Sequence, residues 1–371
     1  MKTIKIKTAV LSNLVNKAIK GNSNNKMIPL TSLMHVVLKD NVLKITTTDA
    51  TTFLTVMADK IEGEDFSVVL KSDIFCKLVS KTTTETITLK LENDYLTFVG
   101  NGSYKIALQL NEDGEPINYP NYYINTNSNP EIPTYTGTIP LTTIKSIYAY
   151  NKPCLALTLE MPCLTGYLFS NGKVITADSF NMCINTVPTI EPRLLLPANL
   201  IDMLVLNTAE NINYTIKGNK LMFVTSNMIV YSVAMDGIDT YPEDKINEIN
   251  IQLESKCTIS KTAILNVLDR LSLFISDHDV NGVYLTFTEQ GIKVDSSKNN
   301  ATELIPYVDS KNFKSFTCMV GVESFKKQIS ARTSDTVELW YGDNDVITMT
   351  DNNINQVIAL LQDDRFEEEE E

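Results

Sequence analysis

The side chains that most often perform catalysis or bind metals are scarce or scattered in this chain. The two histidines, His35 and His278, are too few for multi-histidine metal sites or a typical histidine-based catalytic centre. His35 alternates with apolar residues in a predicted strand, which favours a hydrogen-bonded core histidine. The cysteines form no Cys-x-x-Cys pair, and this scatter is typical of buried thiols in a reducing cytosol; they are Cys76, Cys154, Cys163, Cys183, Cys257 and Cys318.

Acidic side chains form short clusters at positions 277–279, 343–345 and 363–364. A divalent-cation site needs carboxylates that converge on a rigid frame, whereas these clusters lie in predicted turns or near the end of the sequence. Asp49 and Asp178 follow equivalent predicted strands without a catalytic partner at motif spacing, which favours a repeated structural turn. Glycine-rich phosphate-binding motifs are also missing from the sequence. We therefore predict a protein that is not an enzyme and uses no cofactor or metal.

The length of 371 residues, with 43% apolar and 21% charged residues, predicts two or three ordinary globular domains. The start of the sequence, MKTIKIKTAV, lacks the apolar run of a signal peptide, and no stretch of 18 apolar residues occurs. We therefore expect a cytoplasmic protein that does not bind membranes.

Internal repetition is the most informative feature of the sequence. Segments that begin at Phe66, Arg193 and Phe316 each read as a short apolar strand, an amphipathic stretch, two alternating strands around a polar turn, and a last strand. The halves that precede them repeat as well, with a strand that leads into a helix. The starts of these preceding halves are Ile4, Gly137 and Cys257.

This repetition predicts an α+β protein of three tandem, pseudo-equivalent domains, each built from two β-α-β-β-β units. The predicted boundaries are residues 1–128, 129–252 and 253–371, and the third domain ends in an acidic tail. The six predicted helices are Leu11–Lys20, Lys71–Lys81, Leu141–Lys152, Pro197–Thr208, Ser260–Ser272 and Val322–Arg332.

Electric charge is divided unevenly between these helices and the rest of the chain. The formal net charge of −13 argues at first against binding to nucleic acid. The six predicted helices nevertheless hold 12 basic and 4 acidic residues, which leaves 20 basic and 41 acidic residues elsewhere. The apolar stripes should face the sheets, so we predict one basic surface that contacts phosphates without reading sequence. Its members are Lys17, Lys20, Lys71, Lys77, Lys81, Lys145, Lys152, Lys261, Arg270, Lys326, Lys327 and Arg332.

The order, spacing and threefold repeat resemble the bacterial-type DNA polymerase III beta subunit, the beta sliding clamp, from Met1 to about Gln362. Points of similarity are PLTSL at Pro29–Leu33, LKITTTDATTFLTV around Asp49, KVITADSFNMCI around Asp178, GIDTYPEDKI and the final QVIALLQ. Divergence from the family pattern suggests a phage or mobile-element member. The resemblance implies a head-to-tail homodimeric ring around double-stranded DNA, with a DNA polymerase and a clamp loader as partners.

The resemblance also implies two protein-binding sites. A peptide pocket would fall on Leu164, Ala177, Ser179, Phe180, Asn181, Met182, Pro242, Ile246, Val357, Ala359 and Leu361. The dimer interface would set Ile106 and Leu108 against Leu273 and Phe274.

The residues alone leave simpler interpretations open. The apolar members of the pocket are equally typical of a strand core, and Leu273 with Phe274 of a buried helix end. Basic helix surfaces also arise because lysine is a good helix former. The alternative function is a repeat-built protein-interaction scaffold that does not encircle DNA. The run Glu367–Glu371 is expected to be solvated.

Overall fold

The computed structural model describes residues 2–23, 25–248, 253–275, 282–296, 300–342 and 345–362. His278, the acidic clusters at 277–279 and 363–364, residues 343 and 344, and the run Glu367–Glu371 lie outside the described residues. The helices in this part of the chain are α1 (Thr8–Ala18), α2 (Ser72–Lys81), α3 (Leu141–Ser146), α4 (Ala198–Leu204), α5 (Glu243–Glu248), α6 (Lys261–Leu271) and α7 (Val322–Ser330).

The strands follow the predicted repeat. In the first third they are β1 (Lys2–Lys7), β2 (Leu33–Lys39), β3 (Val42–Thr48), β4 (Phe53–Ala58), β5 (Phe66–Lys71), β6 (Thr86–Leu91), β7 (Tyr95–Val99) and β8 (Ser103–Ala107). In the second they are β9 (Thr134–Pro140), β10 (Gly166–Ser170), β11 (Lys173–Ala177), β12 (Asn181–Thr186), β13 (Leu194–Pro197), β14 (Asn211–Lys217), β15 (Lys220–Val224) and β16 (Met228–Val233). In the third they are β17 (Ser255–Ser260), β18 (Gly282–Thr288), β19 (Gly291–Ser296), β20 (Thr302–Lys311), β21 (Phe316–Gly321), β22 (Thr336–Tyr341), β23 (Val346–Asp351) and β24 (Ile354–Ala359).

Each third contains the order β-α-β-β-β twice, as the sequence predicted, and α5 is one helix added in the segment after the second third. The α+β fold class is therefore confirmed. By contact density the chain forms two compact units, residues 1–144 with 199–234 and residues 145–198 with 235–371. The division into three domains stays a prediction.

The first unit contains a four-stranded sheet, ordered β1-β6-β7-β8, and an eight-stranded sheet, ordered β5-β2-β3-β4-β16-β15-β14-β9. The eight-stranded sheet joins two repeat halves where β4 pairs antiparallel with β16, for example Leu54 with Val230. We call this pairing the first junction.

The second unit contains a twelve-stranded sheet, ordered β13-β10-β11-β12-β24-β23-β22-β17-β20-β19-β18-β21. Its first eight strands repeat the design of the first unit, because β12 pairs antiparallel with β24, and Met182 lies opposite Val357. We call this pairing the second junction. The sheet continues because the long strand β20 pairs with β19 through residues 302–306 and with β17 through residues 307–311.

Apolar helix stripes form the cores between helices and sheets. In α1 the buried residues are Leu11, Leu14, Val15 and Ala18, at the spacing that puts them on one helical face. In α7 the buried residues Phe325 and Ile329 join a large core with strands of the third repeat. Burial of such side chains is the main favourable term in folding.

Tight hairpin turns fix the strand registers. Asp40 and Asn41 both have positive φ, at 52° and 61°, between β2 and β3, and Asn171 and Gly172 repeat this at 49° and 72° between β10 and β11. These are the conformations of a two-residue hairpin that matches the twist of the strands, and Asn, Asp and Gly tolerate them best. The predicted hairpins at these positions are confirmed.

Three helix predictions were wrong in extent, and one of them is Pro197–Thr208, which ends at Leu204. The predicted helix Leu141–Lys152 is α-helical only to Ser146, then continues as a π-helical turn over Ile147–Asn151. The Asn151 side chain is buried and donates to the Val174 carbonyl at 3.1 Å, which draws this turn onto the sheet. The predicted helix that ended at Arg332 ends at Ser330.

Candidate DNA-binding and peptide-binding surfaces

Most predicted basic residues of the first unit are exposed. Lys20, Lys71, Lys77 and Lys81 are exposed, while Lys17 is half-buried and burial lowers its pKa. Lys77 pairs with Asp73 one helical turn away at 2.8 Å, and both side chains remain largely exposed, so this pair contributes little to stability. Because α1 and α2 pack together, these lysines belong to two neighbouring helices.

In the second unit the predicted basic residues are exposed to different degrees. Lys145, Arg270 and Lys327 are exposed, whereas Lys152, Lys261 and Lys326 are half-buried. Several of them already contact an acidic or aromatic side chain, which reduces the positive potential that they present to a phosphate.

Three of these basic residues contact a partner side chain. Arg270 donates to both carboxylate oxygens of Glu303, at 2.7 and 2.6 Å, and this hydrogen bonding raises the pKa of Arg270. The Lys326 ammonium lies 2.5 Å from Asp269. Lys152 lies over the Tyr148 ring, with its ammonium 4.6 Å from the ring centroid.

Arg332 does not belong to an exposed basic surface, so its prediction as a DNA-contacting residue was wrong. It is 3% exposed and follows α7 into the interior, where its guanidinium donates to the Met349 carbonyl at 3.1 Å and to Gln356 at 2.5 Å. It also lies over the Tyr150 ring, 5.5 Å from the centroid. Burial lowers the pKa of Arg332, while the nearby Asp351 carboxylate opposes that shift. Its role is to hold the strand ends of the third repeat.

The predicted peptide pocket divides into two places. One is an apolar cluster, in which Met182 and Val357 from the second junction pack with other residues that are each less than 9% exposed. The cluster also takes in three more predicted members, Leu164, Ala177 and Ile246. Pro242 precedes α5, where its carbonyl accepts from the Ile246 N–H at 3.0 Å.

The other place is a groove of about 870 Å³, which we call the α7 groove. It includes the predicted residues Phe180, Asn181, Ala359 and Leu361, and Ser179 is exposed next to them. Neighbouring residues of a strand point to opposite faces of a sheet, so Asn181 and Met182 lie on opposite faces of β12. That the cluster and the groove together form the peptide pocket stays a prediction.

A tight turn, which we call a corner, precedes β4 at the first junction and β12 at the second. The two corners have the same pattern of hydrogen bonds. The Asp49 carboxylate accepts from the N–H groups of Thr51 and Thr52 at 2.9 and 2.8 Å. In the equivalent place the Asp178 carboxylate accepts from the N–H groups of Phe180 and Asn181 at 2.7 and 2.6 Å. The two aspartates are therefore turn-forming residues, as predicted.

Each corner is tied to a neighbouring helix by amide side chains that the sequence did not reveal. At the first junction Asn199 of α4 donates directly to the Asp49 carboxylate. At the second, Asn181 accepts from Ser324 at 2.7 Å and from Gln328 at 2.6 Å, both on α7, and donates to Asp178. The recurring Asp was the only available signal, because the helix partners lie 143 to 150 residues along the chain from the corner residues that they contact.

The predicted dimer-interface residues differ in their exposure. Leu273 is 80% exposed and Phe274 is 50% exposed, so the interpretation of a buried helix end was wrong. Leu108 is half-buried, but Ile106 is only 4% exposed within its own unit. Ile106 alternates inward on β8 and offers almost no side-chain surface to a partner, contrary to the prediction.

Among the residues that the structure describes, no group of three metal-ligating side chains converges, and no helix is long and apolar enough to cross a membrane. His35 stacks on Tyr119 and hydrogen-bonds Ser67 at 2.7 Å, and burial lowers its pKa. The cysteines form no disulfide, and burial raises the pKa of Cys76 and of Cys257 to about 12.

Known proteins share this architecture over nearly the whole chain. A family model described as the DNA polymerase III beta subunit, N-terminal domain, matches residues 1–122. The beta sliding clamp of Bacillus subtilis is 22% identical over 296 residues, which cover 73% of this chain and 74% of that protein.

Solved structures give the same result. The Borrelia burgdorferi DNA polymerase III subunit beta has a TM-score of 0.82 at 17% identity, over 97% of this chain and 99% of that chain. The Bacillus subtilis sliding clamp has a TM-score of 0.79 at 16% identity, over 97% and 99%. The Thermotoga maritima beta subunit has a TM-score of 0.79 at 15% identity, over 98% and 100%.

The fold is therefore that of a sliding clamp, with the repeated half-domain as its building block. Within that class, residues 1–122 match the family model of the DNA polymerase III beta subunit, N-terminal domain, and the resemblance predicted from the sequence is confirmed.

Proposed function

We propose that this protein is a DNA sliding clamp, a non-enzymatic processivity factor that encircles duplex DNA as a head-to-tail homodimer. The proposed protomer has three domains, at residues 1–128, 129–252 and 253–371, and acts in the cytoplasm. The ring would tether a DNA polymerase while it slides, and a clamp loader would open and close it.

One observation carries this proposal: the sheet design occurs twice in the chain, and its third occurrence is incomplete. Strands β4 and β12, which follow the Asp49 and Asp178 corners, pair with β16 and β24. The equivalent strand in the third repeat is β20, and it follows a corner at Ser296, whose hydroxyl accepts from the Asn300 and Ala301 N–H groups at 3.1 Å.

The strand equivalent to β16 and β24 in the first third is β8. Within the described residues β8 pairs only with β7, and residues 302–306 of β20 pair only with β19. Pairing of β20 with β8 of a second copy would complete a third eight-stranded sheet of the same order. Such a contact is heterologous, and two copies close it through a two-fold axis.

Exposed apolar side chains near the same edge support the contact. Leu273 and Phe274 are exposed directly after α6, and Leu304 of β20 is 50% exposed. Large exposed apolar side chains in a group are typical of protein interfaces.

The exposed and half-buried basic residues on or next to α1, α2, α3, α6 and α7 are the proposed DNA-facing residues. Lysine ammonium groups contact phosphates without reading base sequence, and such contacts weaken as salt rises. We keep Lys17, Lys20, Lys71, Lys77, Lys81, Lys145, Lys152, Lys261, Arg270, Lys326 and Lys327 in this proposal and leave out Arg332. Sequence-independent contacts suit a ring that must move along DNA.

Partner peptides are proposed to bind at the second junction. The cluster around Met182 and Val357 and the α7 groove lie on strands β12 and β24. An apolar surface of this kind suits a short segment with aliphatic or aromatic anchors.

The test is loading onto nicked circular duplex DNA, followed by linearisation. We expect a solution mass of twice the 41.5 kDa of one chain, retention on the circle and loss after cutting. A monomeric protein, or equal retention on linear and circular DNA, would instead support the scaffold function.

A further inference from the structure

The α7 groove combines apolar and basic side chains beside the end of the described chain. Its apolar side includes Leu155, Leu157 and Phe180, of which Leu157 is 92% exposed and Phe180 is 59% exposed. Exposed side chains of this size in one groove are typical of a surface that a further segment covers. The question is which segment fits it.

The groove lining holds one more basic than acidic side chain, and Lys326 is already paired with Asp269 outside that lining. The lysines are Lys152, Lys326 and Lys327, and the acids are Asp178 and Glu323. Asp178 accepts the hydrogen bonds of its own corner, as described above. Lys327 is exposed and has no ion-pair partner among the described residues. An acidic ligand is therefore favoured at this end of the groove.

The chain itself supplies such a ligand at the right place. Leu361 lines the groove and its N–H donates to the Met319 carbonyl at 2.9 Å, which fixes the point of departure. The sequence that follows Gln362 is Asp-Asp-Arg-Phe-Glu-Glu-Glu-Glu-Glu. One aromatic residue, Phe366, is thus placed directly before five carboxylates.

The distance is suitable for binding within the same molecule. Phe366 is five residues beyond Leu361, and an extended chain covers roughly 3.3–3.6 Å per residue, so the ring can reach about 17 Å from the groove wall. A segment tethered by so short a linker acts at an effective concentration on the order of millimolar. A segment whose Kd as a free peptide lies below that concentration would therefore occupy the groove most of the time.

We propose that residues 363–371 are an intramolecular ligand of the α7 groove, with Phe366 against Phe180 and Leu157 and the glutamates facing Lys327. The tail covers a surface of the second junction until another segment displaces it. If the proposed function is correct, partner peptides must compete with this tail, and the tail would raise the affinity that a partner needs.

The test uses full-length protein and a fluorescein-labelled peptide of residues 361–371. Binding is measured by fluorescence anisotropy at low salt, first to the unaltered chain and then to a tail variant that combines Phe366→Ala with Gln at positions 367–371. We expect the labelled peptide to bind the tail variant about ten-fold more tightly, because the tethered competitor is gone.

Two substitutions in the tail-variant background locate the site. Lys327→Glu and Phe180→Ala should each weaken peptide binding at least several-fold, while Lys311→Glu, a matched exposed lysine on β20, should leave it unchanged. Equal affinity for the unaltered chain and the tail variant would overturn the proposal. So would insensitivity to both groove substitutions, or absence of binding. A chain that binds the peptide but does not load onto circular DNA would overturn only the clamp function.

Discussion

The two sheet junctions within the chain share one corner but connect it to the neighbouring helix in different ways. At the first, Asn199 of α4 reaches the Asp49 carboxylate directly, and Thr52, which follows the corner, is buried and contacts Ser232 at 3.0 Å. At the second, Asn181 stands between Asp178 and α7. The residue two positions after the aspartate is exposed at both corners, but it is the polar Thr51 at the first and the aromatic Phe180 at the second.

This difference shows how repetition separates structure from function. The aspartate and its two N–H groups set the backbone turn in both places, so the sheet pairing is preserved. The residues inside and after the turn differ between the two corners. They decide whether an exposed aromatic side chain borders a groove. A third corner, at Ser296, is longer, because its hydroxyl accepts from N–H groups four and five residues on, whereas each aspartate accepts from N–H groups two and three residues on. Substitutions at the junctions, on the basic helices and at His35 test these contrasts.

The largest effect is expected at the third junction, which is proposed to form between copies. Leu273→Asp combined with Phe274→Asp puts two charges where two exposed apolar side chains lie, and we expect the dimer to dissociate completely at micromolar concentration. Light scattering coupled to gel filtration measures the mass. Leu157→Asp, an equally exposed leucine elsewhere, is the control and should leave the mass unchanged; a dimer that survives the double substitution contradicts the interface.

The next effect concerns DNA binding by helices from both units. Reversal of Lys77, Lys81, Lys326 and Lys327 to Glu should remove up to four phosphate contacts while the buried helix faces stay intact. The slope of log affinity against log salt for duplex DNA should then fall by about 3 to 4, because each contact contributes about 0.9. Titrations monitored by anisotropy at several salt concentrations measure it. An unchanged slope would contradict a basic surface on these helices.

At the second junction, Asn181→Ala should lower the free energy of unfolding by about 2–4 kcal/mol. The substitution leaves the Ser324 hydroxyl and the buried Gln328 amide without their acceptor, and each stranded group costs about 1–3 kcal/mol. Urea unfolding followed by circular dichroism gives the value. Asn355→Ala, at an exposed position on β24, is the matched control. Equal losses for the two variants would contradict the importance of the hydrogen bonds between Asn181 and α7.

At the first junction, Asn199→Ala should cost only about 1 kcal/mol. Asp49 keeps its hydrogen bonds from Thr51 and Thr52, and Asn199 is half-buried, so water can replace part of the lost contact. The same unfolding experiment applies. A loss as large as that of Asn181→Ala would mean that the two junctions are equivalent after all.

The smallest effect is a pH dependence confined to the first unit. In the repeat, His35 of β2 corresponds to Leu168 of β10, and burial lowers the pKa of His35 below its ordinary value of 6.5. A lowered histidine pKa means that the unfolded chain binds the proton more readily. Stability from this group is therefore complete above pH 6.5 and declines as the pH falls below it. His35→Leu should reduce the loss of stability between pH 7 and 5, as measured by thermal unfolding; an identical pH profile would contradict this.

The sequence predicted the repeat, the hairpins and the positions of six helices because these depend on local periodicity and turn chemistry. It did not predict which face a residue takes when a chain leaves its helix. Arg332 continues the basic pattern of α7, yet it turns inward to meet Gln356. Ile106 and Asn181 show the same limit, because strand register, which is set by distant partners, decides their direction. A phage or mobile-element origin stays a prediction.

The open edges of β8 and β20 have a consequence for the protein before it assembles. An unpaired strand edge invites addition of any other strand and so promotes aggregation. Strand β8 is only five residues long and exposes Lys105, and β20 carries Pro306, which has no N–H to offer a foreign strand. These features disfavour pairing of the free protomer with an unrelated strand. The edge of a second copy can still pair in the proposed arrangement.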